Sequence, residues 1–292
     1  MELPNLSKLK RVEAEALTHR ADDDGYATPE DGLYCLDALR AQKGYDGTVS
    51  VREPEELNSC NSSLVLLRQA IRTDENEHAA AFKFMQSDEV PKSRNIYNKN
   101  TPLLRKQITF GATYKDYVSK PLSDEDTPAL VKHVLQYTKD LIRNNPNYFH
   151  WPPGVTENHY NAVHCNYYPN GKSGVAAHQD AESEMIAGMP IFSYTFLAKF
   201  DPTSNVEVRP REFEITTKHG EEKLTAGGRP TTVYTPHRVA GVTLADGDLL
   251  VMQGGVQKEW FHRVTEGKPP ALHKNTMRIN MTVRAFAESM NA

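Results

Sequence analysis

Two residues with ligand chemistry stand one apart in the stretch AAHQDAESEM: His178 and Asp180. Alternate side chains of an extended strand point to the same side. An imidazole nitrogen and a carboxylate oxygen are thereby aimed at one point. A third ligand is expected from another strand end. His262, in KEWFHRVTEG, follows the apolar run GDLLVMQ and precedes a polar turn. Two histidines and one carboxylate form a facial triad with three open coordination positions. That arrangement suits non-haem Fe(II), with room for O2 and a co-substrate, whereas zinc favours a closed tetrahedral shell or a single open position. An H-x-D tripeptide is a weak signal in a chain with 11 histidines. On these residues alone, the alternative that His178 and His262 are unrelated polar residues stays open.

Two further segments carry polar groups at the same period. RINMTVR places Arg278, Asn280, Thr282 and Arg284 on one side of a strand and Ile279, Met281 and Val283 on the other. A buried arginine needs a planar anionic partner, and its fork grips a carboxylate bidentately. The alternative is an exposed face with both arginines solvated. In NYYPNG, Asn166 and Tyr168 share a side and offer neutral donors to the same anion.

The elements that must position these residues change character along the chain. Residues 1–90 read as a mostly helical extension of unknown role. LNSCNSSLVLLRQAIRTDENEHAAAFKFM looks like helix with a polar break, and DGLYCLDALRAQKGYDG like a short helix closed by Gly44. DEDTPALVKHVLQYTKDLIRNN carries a cap candidate, Thr127, then Pro128 and an apolar helical face of Leu130, Val131, Val134, Leu135, Leu141 and Ile142. After residue 150 the texture is that of short strands. NAVHCNYYPNG, IFSYTFLAKF, FEITTKHGEEKLT (two strands around His219 and Gly220), GVTLADGDLLVMQ (two strands joined at Asp246 and Gly247) and RINMTVRAF alternate with turn signals. PTSNVEVRPRE and LTAGGRPTTVYTPHR read as loops. The pattern points to an antiparallel sandwich or barrel.

Length and composition set the outer bounds. A chain of 292 residues buries a sizeable core unaided. Cys35, Cys60 and Cys165 are scattered, with no zinc-type spacing and no disulfide framework, so a reducing intracellular setting, cytoplasm or nucleus, is expected. The first residues lack the apolar core of a secretory signal, and no apolar run approaches the about 20 residues of a membrane span. A soluble protein with no membrane contact is expected. The net charge of −4 does not advertise a nucleic-acid binder; its distribution says more. Residues 92–120 carry Lys92, Arg94, Lys99, Arg105, Lys106, Lys115 and Lys120 against Asp116 alone, interleaved with Tyr97, Phe110, Tyr114 and Tyr117. Such a stretch suits phosphate contacts and base stacking, with Arg105, Lys106 and Tyr114 as candidate substrate contacts. A solvated loop beside core tyrosines is the plainer reading.

The order N-x-Y, HQD, H, RxNxTxR resembles the AlkB-like family of Fe(II)/2-oxoglutarate dioxygenases. The resemblance covers about residues 90–286 and is densest in NYYPNG, HQDAE, GDLLVMQGGVQKEWFHRV and RINMTVRAF. RKQITFGATYKDY and REFEITTKHG also look like the nucleotide-recognition lead-in and central hairpin of its animal DNA-repair members. The resemblance implies an α+β fold, a double-stranded β-helix (jelly-roll) buttressed by helices, with residues 91–292 as the dioxygenase domain. It implies His178, Asp180 and His262 as iron ligands. It implies Arg278 on the distal carboxylate of 2-oxoglutarate with Asn166 and Tyr168, Asn280 and Arg284 at the co-substrate's other end, and Glu182 near the target base. Glu182 is one methylene longer than the family's more familiar aspartate. Trp260 and Phe261 are candidates for the pocket wall or the core.

The function implied is oxidative demethylation of N-alkylated bases in DNA or RNA. It would use Fe(II), O2 and 2-oxoglutarate and release formaldehyde, succinate and CO2. One alternative keeps the chemistry and makes the substrate a protein side chain or small metabolite; the basic stretch 92–120 argues against it. Another is a non-enzymatic nucleic-acid adaptor on a degenerate dioxygenase fold; the intact triad and both strand arginines argue against that.

Overall fold

In the computed structural model, the stretch ALVKHVLQYTKDLIRN is a helix, Ala129–Asn144, because its apolar residues recur on one face. Leu130, Val131, Val134, Tyr137, Leu141 and Ile142 are buried along it. Thr127 is not its cap: the N-cap is Pro128, and Thr127 Oγ1 donates to Pro121 O instead. A second helix, Glu75–Gln86, is capped by Asp74, whose carboxylate accepts from the Asn76 and Glu77 amides. The structure describes residues 3–9, 11–12, 30–37, 39, 61–93, 103–112, 118–122, 125–149, 151–180, 182–198, 210–224, 228, 230–265 and 276–287, with backbone alone at 11, 218–222 and 231–236.

The strands among these residues are β1 (Arg11–Val12), β2 (Gly32–Cys35), β3 (Ser62–Leu67), β4 (Lys106–Phe110), β5 (Ser119–Lys120), β6 (Tyr160–Tyr168), β7 (Val175–His178), β8 (Ile191–Leu197), β9 (Arg211–Leu224), β10 (Pro230–Leu244), β11 (Leu249–Gly254), β12 (Phe261–Val264) and β13 (Arg278–Ala285). They form a nine-stranded sheet, β1-β2-β3-β11-β8-β13-β6-β4-β5, and a four-stranded sheet, β10-β9-β12-β7. All pairings are antiparallel except β1 with β2 and β4 with β5. The two sheets share an apolar cluster: Leu64, Leu66, Leu250 and Met252 of the large sheet pack with Phe213, Ile215 and Val242 of the small one. This is the double-stranded β-helix that the resemblance implied, with helices on the outer face of the large sheet.

That large sheet has two unlike faces. On the helix side, Ile279, Met281 and Val283 of β13, Val163, Cys165 and Tyr167 of β6, and Phe192, Tyr194 and Phe196 of β8 join the cluster that contains Val134, Tyr137 and Leu141. Each apolar side chain so buried is worth about 1.5–3 kcal/mol. On the inner side the same strands carry polar rows in register. Thr282 lies opposite His164 and Ser193, and Asn280 opposite Asn166 and Thr195, with Thr109 and Gln107 of β4 extending the rows. Burial energy comes from the outer face, so the inner face is free to hold a polar site.

Several local expectations are corrected. Ser62–Leu67 is a strand, inserted between β2 and β11, rather than part of a helix. All its residues are buried, and a short run buried on both faces has no periodicity to separate strand from helix. Gly32–Cys35 is likewise a strand. His219 and Gly220 are not a turn: β9 runs through them, and the connection falls between Leu224 and Pro230. Most of the expected loop after it is β10, whose Pro230 and Pro236 are tolerated because the strand is at the sheet edge. Cys35 is disulfide-bonded, against the expectation of no disulfide; spacing along the chain does not report tertiary proximity. Cys165 is buried and free. No described helix is long and apolar enough to cross a membrane.

The chain passes from the small sheet into the large one at the turn before β11. There Gly247 has φ +79°, and a Cβ on it would lie 2.4 Å from Ile71 O. Its amide donates to Thr195 O and its carbonyl accepts from Ile71 N. Gly247→Ala combines a left-handed backbone with a backbone clash, so a loss of about 1–3 kcal/mol is expected. A lowered urea midpoint at unchanged slope checks this; an unchanged midpoint contradicts it.

Candidate metal centre

β7 and β12 are neighbours in the small sheet, and their register sets His178 directly opposite His262. The two imidazole centroids lie 4.4 Å apart. Asp180 follows β7 by two residues and completes the group. Its Oδ1 is 3.5 Å from His178 Nε2 and its Oδ2 is 3.6 Å from His262 Nε2. One donor atom from each residue can be chosen so that all lie within 4.8 Å of one another, the one such group among the described residues. Donors at about 2.0–2.2 Å from a shared ion lie about 3–3.5 Å apart, so the donor set fits a metal.

Each ligand is held from behind. His178 Nδ1 lies 2.9 Å from Ala176 O, which leaves Nε2 as the free lone pair. His262 is stacked on Phe213 at 5.2 Å between centroids. The Asp180 amide donates to Gln257 Oε1 at 2.8 Å, from the short helix Val256–Glu259. Burial, then the neighbouring His178, pushes the His262 pKa down to about 3, so the ring is neutral and ready to ligate. Burial acts to raise the Asp180 pKa, but the Arg284 guanidinium and the two adjoining imidazoles together outweigh it and hold the carboxyl well below the usual range. Burial also opposes charge on His178, yet the adjoining Asp180 raises its pKa.

The polar face of β13 runs from this group to a second charge. Arg284 is 5% exposed; its Nη2 lies 2.8 Å from Asp180 Oδ1 and its Nη1 2.9 Å from Glu182 Oε1. Glu182 Oε2 is buried without a hydrogen-bond partner. Arg278, at the other end, is 1% exposed, and its Nη2 donates to Thr195 Oγ1 at 2.9 Å. Its Nε and Nη1 are buried with no partner. The Tyr168 ring lies 5.2 Å from its Cζ, and Asn166 Oδ1, across the sheet from Asn280, is buried and unpartnered.

The structure therefore brings His178, Asp180, His262, Glu182 and Arg284 into direct contact, and sets Arg278, Tyr168 and Asn166 in the same polar face. Asn280 is spoken for by the fold: its amide donates to Ser193 Oγ and Tyr194 O, and its Oδ1 accepts from Thr282. Arg284 grips two carboxylates of the chain, a role that its spacing did not disclose. Arg105 and Lys106 part company by strand parity. Lys106 points to the helix side and donates to Gln86 O and Ser87 O, both at 2.7 Å. Arg105 Nε donates to Ser93 Oγ, which bonds Gln107 on the inner side. Tyr114 lies outside the described residues. Trp260 belongs to the shared apolar cluster. Sequence reasoning missed Gln257, Phe213 and Thr195, which touch the ligands or Arg278; only the parity of REFEI, with Phe213 facing inward, was there to find one of them.

His178→Ala, Asp180→Ala and His262→Ala are each expected to bring bound Mn(II) or Fe(II) well below one ion per chain after dialysis, with the far-UV dichroism unchanged. Elemental analysis reads this directly. A stoichiometric ion retained by Asp180→Ala contradicts the triad.

A family model described as the 2OG-Fe(II) oxygenase superfamily matches residues 63–284. Among curated proteins, the alpha-ketoglutarate-dependent dioxygenase alkB homolog 3 of Bos taurus is 31% identical over 160 residues, covering 51% of this chain and 48% of that protein. Its Homo sapiens counterpart is 30% identical over the same length, with the same coverage. The DNA oxidative demethylase ALKBH2 of Bos taurus is 26% identical over 189 residues, covering 65% of this chain and 55% of that protein. The chain spans about half the length of the curated relatives it matches.

Proposed function

The chain belongs to the 2-oxoglutarate–Fe(II) oxygenase superfamily and is AlkB-like within it, and from that premise we propose that it oxidatively demethylates N-alkylated bases in DNA or RNA. The co-substrates are 2-oxoglutarate and O2, and the products are formaldehyde, succinate and CO2 beside the restored base. The observation that carries this reading is a histidine–carboxylate triad in one polar sheet interior with a buried arginine that has donors to spare.

His178 and His262, through Nε2, and the Asp180 carboxylate would hold Fe(II), which when bound supplies the oxidation chemistry with O2. Arg278 receives the distal carboxylate of 2-oxoglutarate through Nε and Nη1, beside Tyr168 and Asn166. Arg284 keeps Asp180 ionised for ligation and fixes Glu182 at its side. Glu182 Oε2 accepts from the exocyclic amino group of the target base, and its charge attracts the positive charge that ring methylation places on adenine or cytosine. A base taken from a duplex is flipped into this position at a cost of a few kcal/mol. Arg105 steers the phosphate backbone toward the inner face; Lys106, bonded to a helix end, leaves this role to it. The names of the alkB homolog 3 and ALKBH2 relatives support both the oxidation class and, for the latter, a DNA substrate.

The deciding experiment supplies the iron-loaded chain with 2-oxoglutarate and a panel of N-methylated and unmethylated oligonucleotides. Formaldehyde and succinate are followed by mass spectrometry. Release in step, on methylated strands alone, is expected; succinate release indifferent to oligonucleotides removes the nucleobase reading in favour of another substrate. Glu182→Gln keeps the size and removes the charge. It is expected to slow demethylation of cationic methyladenine or methylcytosine about tenfold, the effect of one charge-assisted hydrogen bond. Uncoupled decay of 2-oxoglutarate should change little. Equal slowing of both takes Glu182 out of base recognition.

A further inference from the structure

Arg284 holds the Asp180 carboxylate, but the main chain beneath that carboxylate is held from elsewhere. β7 ends at His178, opposite His262 of β12, so the Asp180 amide lies past the last strand residue. Asp180 is buried, and a buried amide needs an acceptor. Gln257 Oε1 supplies it at 2.8 Å. The other end of the same side chain is engaged too: Gln257 Nε2 donates to Met252 Sδ at 3.2 Å. A backbone N–H can only donate, so Oε1 must face Asp180 and Nε2 the thioether. The side-chain amide is thus fixed at both ends, between β11 and the chain leaving β7.

Gln257 stands on the one-turn helix Val256–Glu259, which is too short to be stable by itself. The ends of β2 and β3, in the part of the chain whose role the sequence left unread, seat it at both ends. At its start, the Gly255 amide donates to Asn61 O. Gly254 has φ +65°, and a Cβ on it would lie 2.0 Å from the same oxygen. At its close, the Glu259 carboxylate accepts from Ser62 Oγ at 2.7 Å. The Asn61 and Ser62 amides in turn donate to Asp37 Oδ2, at 2.7 and 3.3 Å. A path of hydrogen bonds therefore runs from Asp37, just after β2, through Asn61, Ser62 and the helix to the main chain of Asp180.

We propose that Gln257 is a positioning residue for the metal's carboxylate ligand, and that β2 and β3 serve the centre by seating the helix that carries it. The inference rests on the metal-centre reading above and adds to it what fixes the main chain. Arg284 governs the charge of Asp180; Gln257 governs where the carboxylate hangs. Without the anchor, the segment after β7 can turn, and the carboxylate loses its preset place beside the two imidazoles. Partners that orient metal ligands from behind commonly hold about ten- to a hundredfold in metal affinity.

The test is titration of the full chain with Mn(II), the free ion being followed by electron paramagnetic resonance, with far-UV dichroism as the check on folding. Gln257→Leu removes the acceptor and is expected to weaken Mn(II) binding about tenfold. Gln257→Met, close to glutamine in length, is expected to do the same and serves if the leucine variant does not fold. Gln257→Glu keeps an acceptor oxygen at the same reach and is expected to stay within about threefold of the wild type. Ser62→Ala, remote from the ligands, is expected to weaken binding about threefold through the helix. An unchanged affinity in Gln257→Leu overturns the proposal. Equal weakening by leucine and glutamate also overturns it, since that is the mark of a packing role. An unchanged affinity in Ser62→Ala overturns the part given to β2 and β3. A wild type that binds no Mn(II) overturns the metal-centre reading itself, and the inference with it.

Discussion

The buried carboxylate of Asp180 is the group on which the rest of the site depends. A charge this deep survives only when it is compensated, and the chain supplies that compensation chiefly through Arg284. Arg284 reaches it from β13, while His178 from β7 and the neutral ring of His262 from β12 stand beside it. Removing one partner of such a pair costs about 3–5 kcal/mol, because it strands the other charge. The arrangement is thus tied to the packing of two sheets against each other. If β13 slips by one residue, Arg284 turns to the helix side and Asp180 loses its nearest cation.

That constraint explains the division of labour within the large sheet. Its helix face is continuously apolar and packs on Ala129–Asn144, while its inner face carries Arg278, Asn280, Thr282 and Arg284 with their partners across β6 and β8. Asn280 and Thr195 keep the middle of the row bonded, and at its Arg278 end Nε and Nη1 are left without hydrogen bonds. The inter-sheet apolar cluster, with Phe213 against His262, closes the roll beside the triad. A polar inner face is tolerated because the hydrophobic burial lies behind it and to one side.

Strand parity made much of this readable. His178 with Asp180, Arg278 through Arg284, and Asn166 with Tyr168 are all pairs whose shared side follows from alternation, and the structure keeps each pair on one side. What alternation does not carry is which partner a side chain meets. Arg284 is met by Asp180 and Glu182, and Lys106 by a helix end, through contacts about 100 and 20 residues apart in the chain. Ser62–Leu67 escaped because full burial on both faces erases the period. β10 escaped because two prolines read as loop in sequence, whereas an edge strand spares them the missing hydrogen bonds.

The central claim is that a metal at His178, Asp180 and His262 and the cation of Arg278 receive the two ends of one co-substrate. Titration of 2-oxoglutarate into the wild type and Arg278→Met, each with and without Mn(II), tests it most directly. Firm binding is expected only where metal and Arg278 are both present, with loss of either weakening it about tenfold or more. Binding that is indifferent to the metal, or unchanged in Arg278→Met, would contradict it.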